Sequence, residues 1–117
     1  MKSKSGIQIP SEEDFARANR KMRELEEGFR LIRESVLSEF KERAPIHSVW
    51  LFPNGAYVFY PKNSDIELCK DNGTSKALKE YIELEFKNKI SATCEVNFDS
   101  HENVLKQYNG NYYKYFR

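Results

Sequence analysis

The 117-residue chain predicts an α+β domain in which a long N-terminal helix and a second helix pack on a mostly antiparallel sheet of about five strands, in the order α-β-β-β-α-β-β. Three observations carry this. Apolar residues recur at Phe15, Ala18, Met22, Leu25, Phe29, Ile32, Val36 and Phe40, in steps of three and four with charged or polar residues between them. Only a helix gathers residues so spaced onto one side. Two β-branched and aromatic runs flank Pro53-Asn54-Gly55, which is a hairpin signal. Further on, 65–69 and 92–98 alternate polar and apolar residues as half-buried strands do.

Residues 1–10 read as a flexible lead-in and 11–117 as a single domain. Ser11 caps the first helix, Asp14 lies in its first turn and Pro45 stops it. From Glu12 to Arg43 such a helix would be about 48 Å long at 1.5 Å per residue. A compact domain of this size has a radius of gyration of roughly 13 Å, so the helix overruns its globule unless it bends at Gly28. The apolar phase survives that glycine, from Leu25 through Phe29 to Ile32, and predicts a continuous or merely bent helix. Bulky residues between Phe29 and Phe40 mark the second half as core. The first half is thinner, flanked by Arg17, Arg20, Lys21, Arg23, Glu24, Glu26 and Glu27, and is the better candidate for contact with another molecule.

Strands are expected at Ile46–Phe52, Ala56–Tyr60 and Asp65–Cys69. A second helix capped by Thr74 or Ser75 runs to about Lys89, with Ala77, Leu78, Tyr81, Ile82 and Phe86 as its stripe. A fourth strand follows over Ala92–Phe98, then a capped turn of helix to about Tyr108, a turn at Asn109-Gly110 and a terminal strand over Asn111–Phe116. The predicted core is Phe29, Ile32, Val36, Phe40, Val49, Leu51, Val58, Leu78, Ile82, Phe86, Val96 and Phe98. The hairpin is apolar on both faces, since Trp50, Phe52, Tyr57 and Phe59 oppose Val49, Leu51 and Val58. Its second face is either covered by the chain's own helices or left as an aromatic interaction patch.

Charge is high but balanced, 19 basic against 18 acidic residues for a net +1, which recommends neither nucleic acid nor an anionic membrane as partner. Cys69 and Cys94 form no metal-ligand spacing, and no apolar run reaches the length of a membrane span or signal core. The expectation is a cytoplasmic protein with reduced thiols, both on strands and partly buried. His47 and His101, the two histidines, could serve as acid and base in phosphodiester cleavage, but they stand in no motif. Asp99, His101 and Glu102 read as an acidic helix start rather than a metal site, and no cofactor is expected. The tail from Lys106 to Arg117 interleaves tyrosines with basic groups, as a surface that stacks single-stranded bases does and as a terminal strand with one buried face also does.

A small, charge-rich and aromatic-rich α+β domain without a catalytic motif, with the hairpin at Phe52-Pro53-Asn54-Gly55-Ala56 and the tyrosine-rich end Tyr112–Phe116, resembles the immunity proteins of bacterial toxin–immunity systems, including contact-dependent inhibition. The resemblance lies in overall character rather than aligned residues, so it carries no functional residue over. It implies a cytosolic, non-enzymatic protein that binds one cognate toxin domain, often over the active site. Many immunity proteins are acidic, whereas this chain is near neutral, which argues against a nuclease as the target. Interfaces concentrate energy in aromatic and arginine anchors. The expected contact residues are therefore Arg20, Arg23 and Glu27 on the helix, Tyr57 and Phe59 on the hairpin, and Tyr112 and Tyr115 at the end. A homodimer through the N-terminal helix is the other contact the stripe allows.

Overall fold

A computed structural model describes residues 11–117; the expected lead-in at 1–10 lies outside the described residues. Helix α1 (Glu12–Glu39) opens on a reciprocal cap, in which the Asp14 amide donates to Ser11 Oγ at 3.1 Å and the Ser11 amide to Asp14 Oδ2 at 3.2 Å. The helix runs unbroken through Gly28, as the apolar phase predicts. Gly28 is buried, and a Cβ there would lie 2.6 Å from Ile90 Cγ2. The glycine therefore permits a close helix crossing rather than a bend.

Beyond that crossing, toward the N-terminus, α1 leaves the globule. Every residue from Ser11 to Glu24 is solvent-exposed, with Phe15 at 56% and Met22 at 61% of full exposure. The radius of gyration is 18.2 Å and the long axis 60 Å, well above the roughly 13 Å radius of a compact chain of this length. Replacing Ser11 by alanine should weaken the first turns by about 1 kcal/mol. Because these residues touch little else, amide exchange over Glu12–Arg20 should quicken while that of Ile32 and Val36, and the melting temperature, hardly change. Equal quickening at both places would show that the arm is coupled to the core.

Among the described residues the sheet has three strands, not about five, in the order β1 (Ser48–Phe52), β2 (Gly55–Tyr60), β3 (Glu95–Ser100). The β1–β2 hairpin is antiparallel, pairing Val49 with Val58 and Leu51 with Ala56. The β2–β3 pair is parallel, with Val58 opposite Phe98 and Tyr60 opposite Ser100, so the sheet is mixed rather than mostly antiparallel. A parallel pair needs a long crossover, supplied by helices α2 (Asn63–Asp71) and α3 (Thr74–Ile90).

Two expected strands are helices. The stretch 65–69 lies within α2, where Ile66 and Cys69 turn inward three residues apart and Leu68 is left 59% exposed. Over five residues Ile66 and Leu68 suggest alternation while Ile66 and Cys69 suggest a helix. Local capping decides: the Lys62 amide donates to Asp65 Oδ2 at 3.0 Å, and the Asn63 amide to Glu102 Oε1 at 2.8 Å. Cys69 thus sits buried on a helix and Cys94 just before β3, both as free thiols rather than strand residues. After α4 (His101–Tyr108), capped by Ser100 and closed at Asn109-Gly110 with φ of 53° and 79°, the chain forms the single turn α5 (Tyr112–Tyr115) in place of a terminal strand.

The predicted core holds. Ile32, Val36, Phe40, Val49, Leu51, Val58, Leu78, Ile82, Phe86 and Val96 are buried, while Phe29 and Phe98 are half-buried against them. It lies between one sheet face and helices α1, α2 and α3, and also takes in Ala56, Tyr60 and Cys69.

Candidate functional site

The opposite sheet face carries Trp50 and Phe52 from β1 and Tyr57 and Phe59 from β2. It is roofed neither by α1 nor by α3 but by the end of the chain. In α5, Tyr112, Tyr115 and the following Phe116 are spaced i, i+3, i+4, which puts all three on the sheet side and leaves Tyr113 82% exposed. Tyr112 stacks on Trp50 with centroids 5.1 Å apart, and Phe59 meets Tyr112 and Tyr115 edge-on at 4.8 and 5.3 Å. Phe116 meets Phe52 at 5.0 Å and Tyr57 at 4.9 Å. Edge-to-face and offset pairs of this kind add about 0.5–1.5 kcal/mol each beyond the area they bury. Tyr57, Phe59, Tyr112 and Tyr115, expected as contact residues, are thus brought together, but chiefly against one another. Phe59 is wholly enclosed.

Two hydroxyls pin the roof at its polar rim. Tyr115 O–H donates to Asp99 Oδ2 at 2.6 Å, and Tyr112 OH shares a hydrogen bond of 2.7 Å with His101 Nδ1. Burial raises the pKa of both tyrosines, with Asp99 adding to the effect. His47, at the entrance to β1, lies face to face with His101 at the start of α4, their centroids 3.8 Å apart and their planes 21° from parallel. The chain's two histidines, 54 positions apart in sequence, therefore meet. Loss of water around the His47 ring, and then the adjacent His101, hold its pKa below the ordinary value. Ser48 Oγ next to it is enclosed without a hydrogen-bond partner. Among the described residues no group of three or more His, Cys, Asp or Glu side chains could hold a metal ion.

Arg20, Arg23 and Glu27 lie apart from this cluster, on α1. They line a shallow cavity of about 450 Å³ with Glu24, Gly28, Leu31 and Lys89, where the helix parts from α3. The seven expected contact residues therefore fall into two groups, three on the projecting helix and four inside the aromatic roof. Phe15 and Met22, which continue the apolar stripe along the arm, were not among those seven. The 3-4 spacing that carries the stripe into the charged half of α1 was the signal for them. The imidazole stack had no such signal, because it depends on the β2–β3 crossover bringing the start of α4 beside the start of β1.

No helix among the described residues is long and apolar enough to cross a membrane. Comparison with known families, with curated proteins and with solved structures finds no match to this chain.

Proposed function

We propose that this chain is a non-enzymatic protein-binding module, most concretely a cytoplasmic immunity protein or inhibitor that neutralises a cognate toxin or effector by occluding its active site. The observation that carries the reading is the projecting half of α1. It holds a helical apolar stripe, Phe15, Ala18 and Met22, that nothing in the described chain covers. An amphipathic helix with an open face is a common means of protein recognition. Arg20 and Arg23 beside it supply the kind of side chain on which interface energy concentrates. The toxin–immunity class rests on the resemblance in character described above.

The first test is whether a toxin-bearing gene lies directly beside this one, its absence counting against the toxin–immunity class. The toxin domain so found is then paired with the wild-type chain and a Phe15→Asp/Met22→Asp variant. Both positions are exposed, so the variant should melt within about 2 °C of the wild type, as surface substitutions do. It should bind the toxin at least about 100-fold more weakly, two aspartates facing an apolar interface being worth several kcal/mol. Cells carrying it should lose protection. Undiminished protection would refute this contact surface. A wild-type dimer that the same variant dissociates would instead assign the stripe to a second copy.

A second reading, a small nuclease, draws on the meeting of His47 and His101. Acid–base cleavage needs two groups flanking one phosphate, and rings in face contact at 3.8 Å leave no room for a phosphate between them. Cleavage of RNA or DNA that His47→Ala or His101→Ala abolishes would restore it. For a single-stranded nucleic-acid binder, Tyr113 is the one tail tyrosine whose ring stands largely open.

A further inference from the structure

We propose that the stacked His47–His101 pair is an acid-sensitive latch: with both imidazoles protonated, the C-terminal roof over Trp50 and Phe59 lifts from the sheet. The mechanical link is a chain of contacts. His47 stacks on His101 at 3.8 Å, His101 Nδ1 holds Tyr112 OH at 2.7 Å, and the Tyr112 ring lies on Trp50 at 5.1 Å, within 8° of the His101 plane. Whatever pushes the two imidazoles apart drags the first residue of α5 with it.

Protonation does push them apart. Two imidazolium rings in face contact repel strongly, because at 3.8 Å little solvent lies between the charges to screen them. With the rings in face contact, a second positive charge on the stack is what the closed roof resists. The lowered His47 pKa has the corresponding sign. A histidine whose folded pKa is depressed stabilises the fold above the ordinary value near 6.5 and loses that contribution as pH falls below it. The closed roof should therefore be intact at neutral pH and weaken through the mildly acidic range.

The groups around the pair set how far this goes. From β1 the neighbours are Ser48 and Trp50, which carry no charge, and from β2 Phe59. The end of β3 presents Asp99, α4 presents Glu102, and α5 presents the hydroxyls of Tyr112 and Tyr115. Asp99 is already engaged by Tyr115 O–H, the Asn103 side-chain amide and the Ser100 amide, and Glu102 by the Asn63 amide. Neither carboxylate is hydrogen-bonded to an imidazole. Both tyrosine hydroxyls stay protonated throughout, their pKa values lying above the ordinary one. Neither carboxylate is therefore placed to neutralise charge on the imidazole stack through a hydrogen bond. The Tyr115–Asp99 bond and the Phe116 contacts are unaffected by it, so the roof opens from the Tyr112 end.

The chain reports on itself, because Trp50 is its one tryptophan and lies under Tyr112. Its emission, followed from about pH 7.5 to about pH 5, should shift to the red with a midpoint below 6.5, while far-ultraviolet circular dichroism stays constant. His47→Gln should remove the shift and leave the emission at its neutral-pH position, since one imidazole has nothing to repel. Ring-proton resonances of the two histidines in the wild-type chain give a measurement that needs no variant. They should titrate in two separated steps, with Tyr112 shifting in the second. The proposal is overturned if both histidines titrate independently near the ordinary value, if emission is flat while both rings protonate, if it moves only together with loss of helix, or if folded His47→Gln shifts as the wild type does.

Discussion

Phe86→Ala is expected to destabilise the chain by about 3–5 kcal/mol, enough to unfold it at ambient temperature if total stability lies near the low end of the usual range of about 5–15 kcal/mol. Phe86 is wholly enclosed and lies where α3 meets α1, its ring 6.1 Å from that of Phe29. One helical turn farther on, Ile90 packs against Gly28. Truncation would open a cavity at the point where the two longest helices are joined. Close helix packing through a glycine leaves little freedom to collapse into such a space. Urea unfolding followed by circular dichroism measures the loss. A change below about 1 kcal/mol would mean that the α1–α3 contact is not structural.

Phe59→Ala should come close to the same magnitude, about 3–5 kcal/mol, although the residue lies on the other side of the sheet. Its ring is enclosed by Tyr112, Tyr115 and Phe116, and removing it takes the floor from beneath the roof. The distinction matters for function. An interface anchor replaced by alanine weakens binding and leaves the melting temperature alone. Phe59→Ala should lower the melting temperature by about 10 °C or more for a domain of this size and expose Trp50 to solvent. A stable variant with unshifted Trp50 emission would return Phe59 to the list of free contact residues.

The long helix and the core were legible in the sequence because the 3-4 stripe extends over many turns and two competing periods cannot both fit it. The hairpin was legible from Pro53-Asn54-Gly55, although the loop closes on Pro53 and Asn54, Gly55 already pairs with Phe52, and neither Asn54 nor Gly55 takes the positive φ that an Asn-Gly turn would use. What failed were the short segments. Residues 65–69 offer too few positions to separate a period of two from one of 3.6, and the outcome turned on caps, one of them from Glu102 in a distant helix. Residues 111–116 were read as a strand for their tyrosines, whereas the spacing of Tyr112, Tyr115 and Phe116 fits one turn of helix. A strand must find an edge to pair with, and this segment found an apolar face instead. Self-coverage of the hairpin's second face was among the expected outcomes, but the cover was assigned to the helices. The expected contact residues on that face were chosen as aromatics left over from the core, and a second, smaller aromatic layer took them up.

The projecting arm has a consequence for how this chain behaves on a column. A particle 60 Å long and 18 Å thick, with a radius of gyration of 18.2 Å, has the hydrodynamic drag of a larger sphere. A single 13.8 kDa chain will elute ahead of compact standards of its own mass, at a position that invites the label of dimer. Mass read from light scattering or sedimentation equilibrium, not retention volume, is the quantity to compare when the arm is mutated.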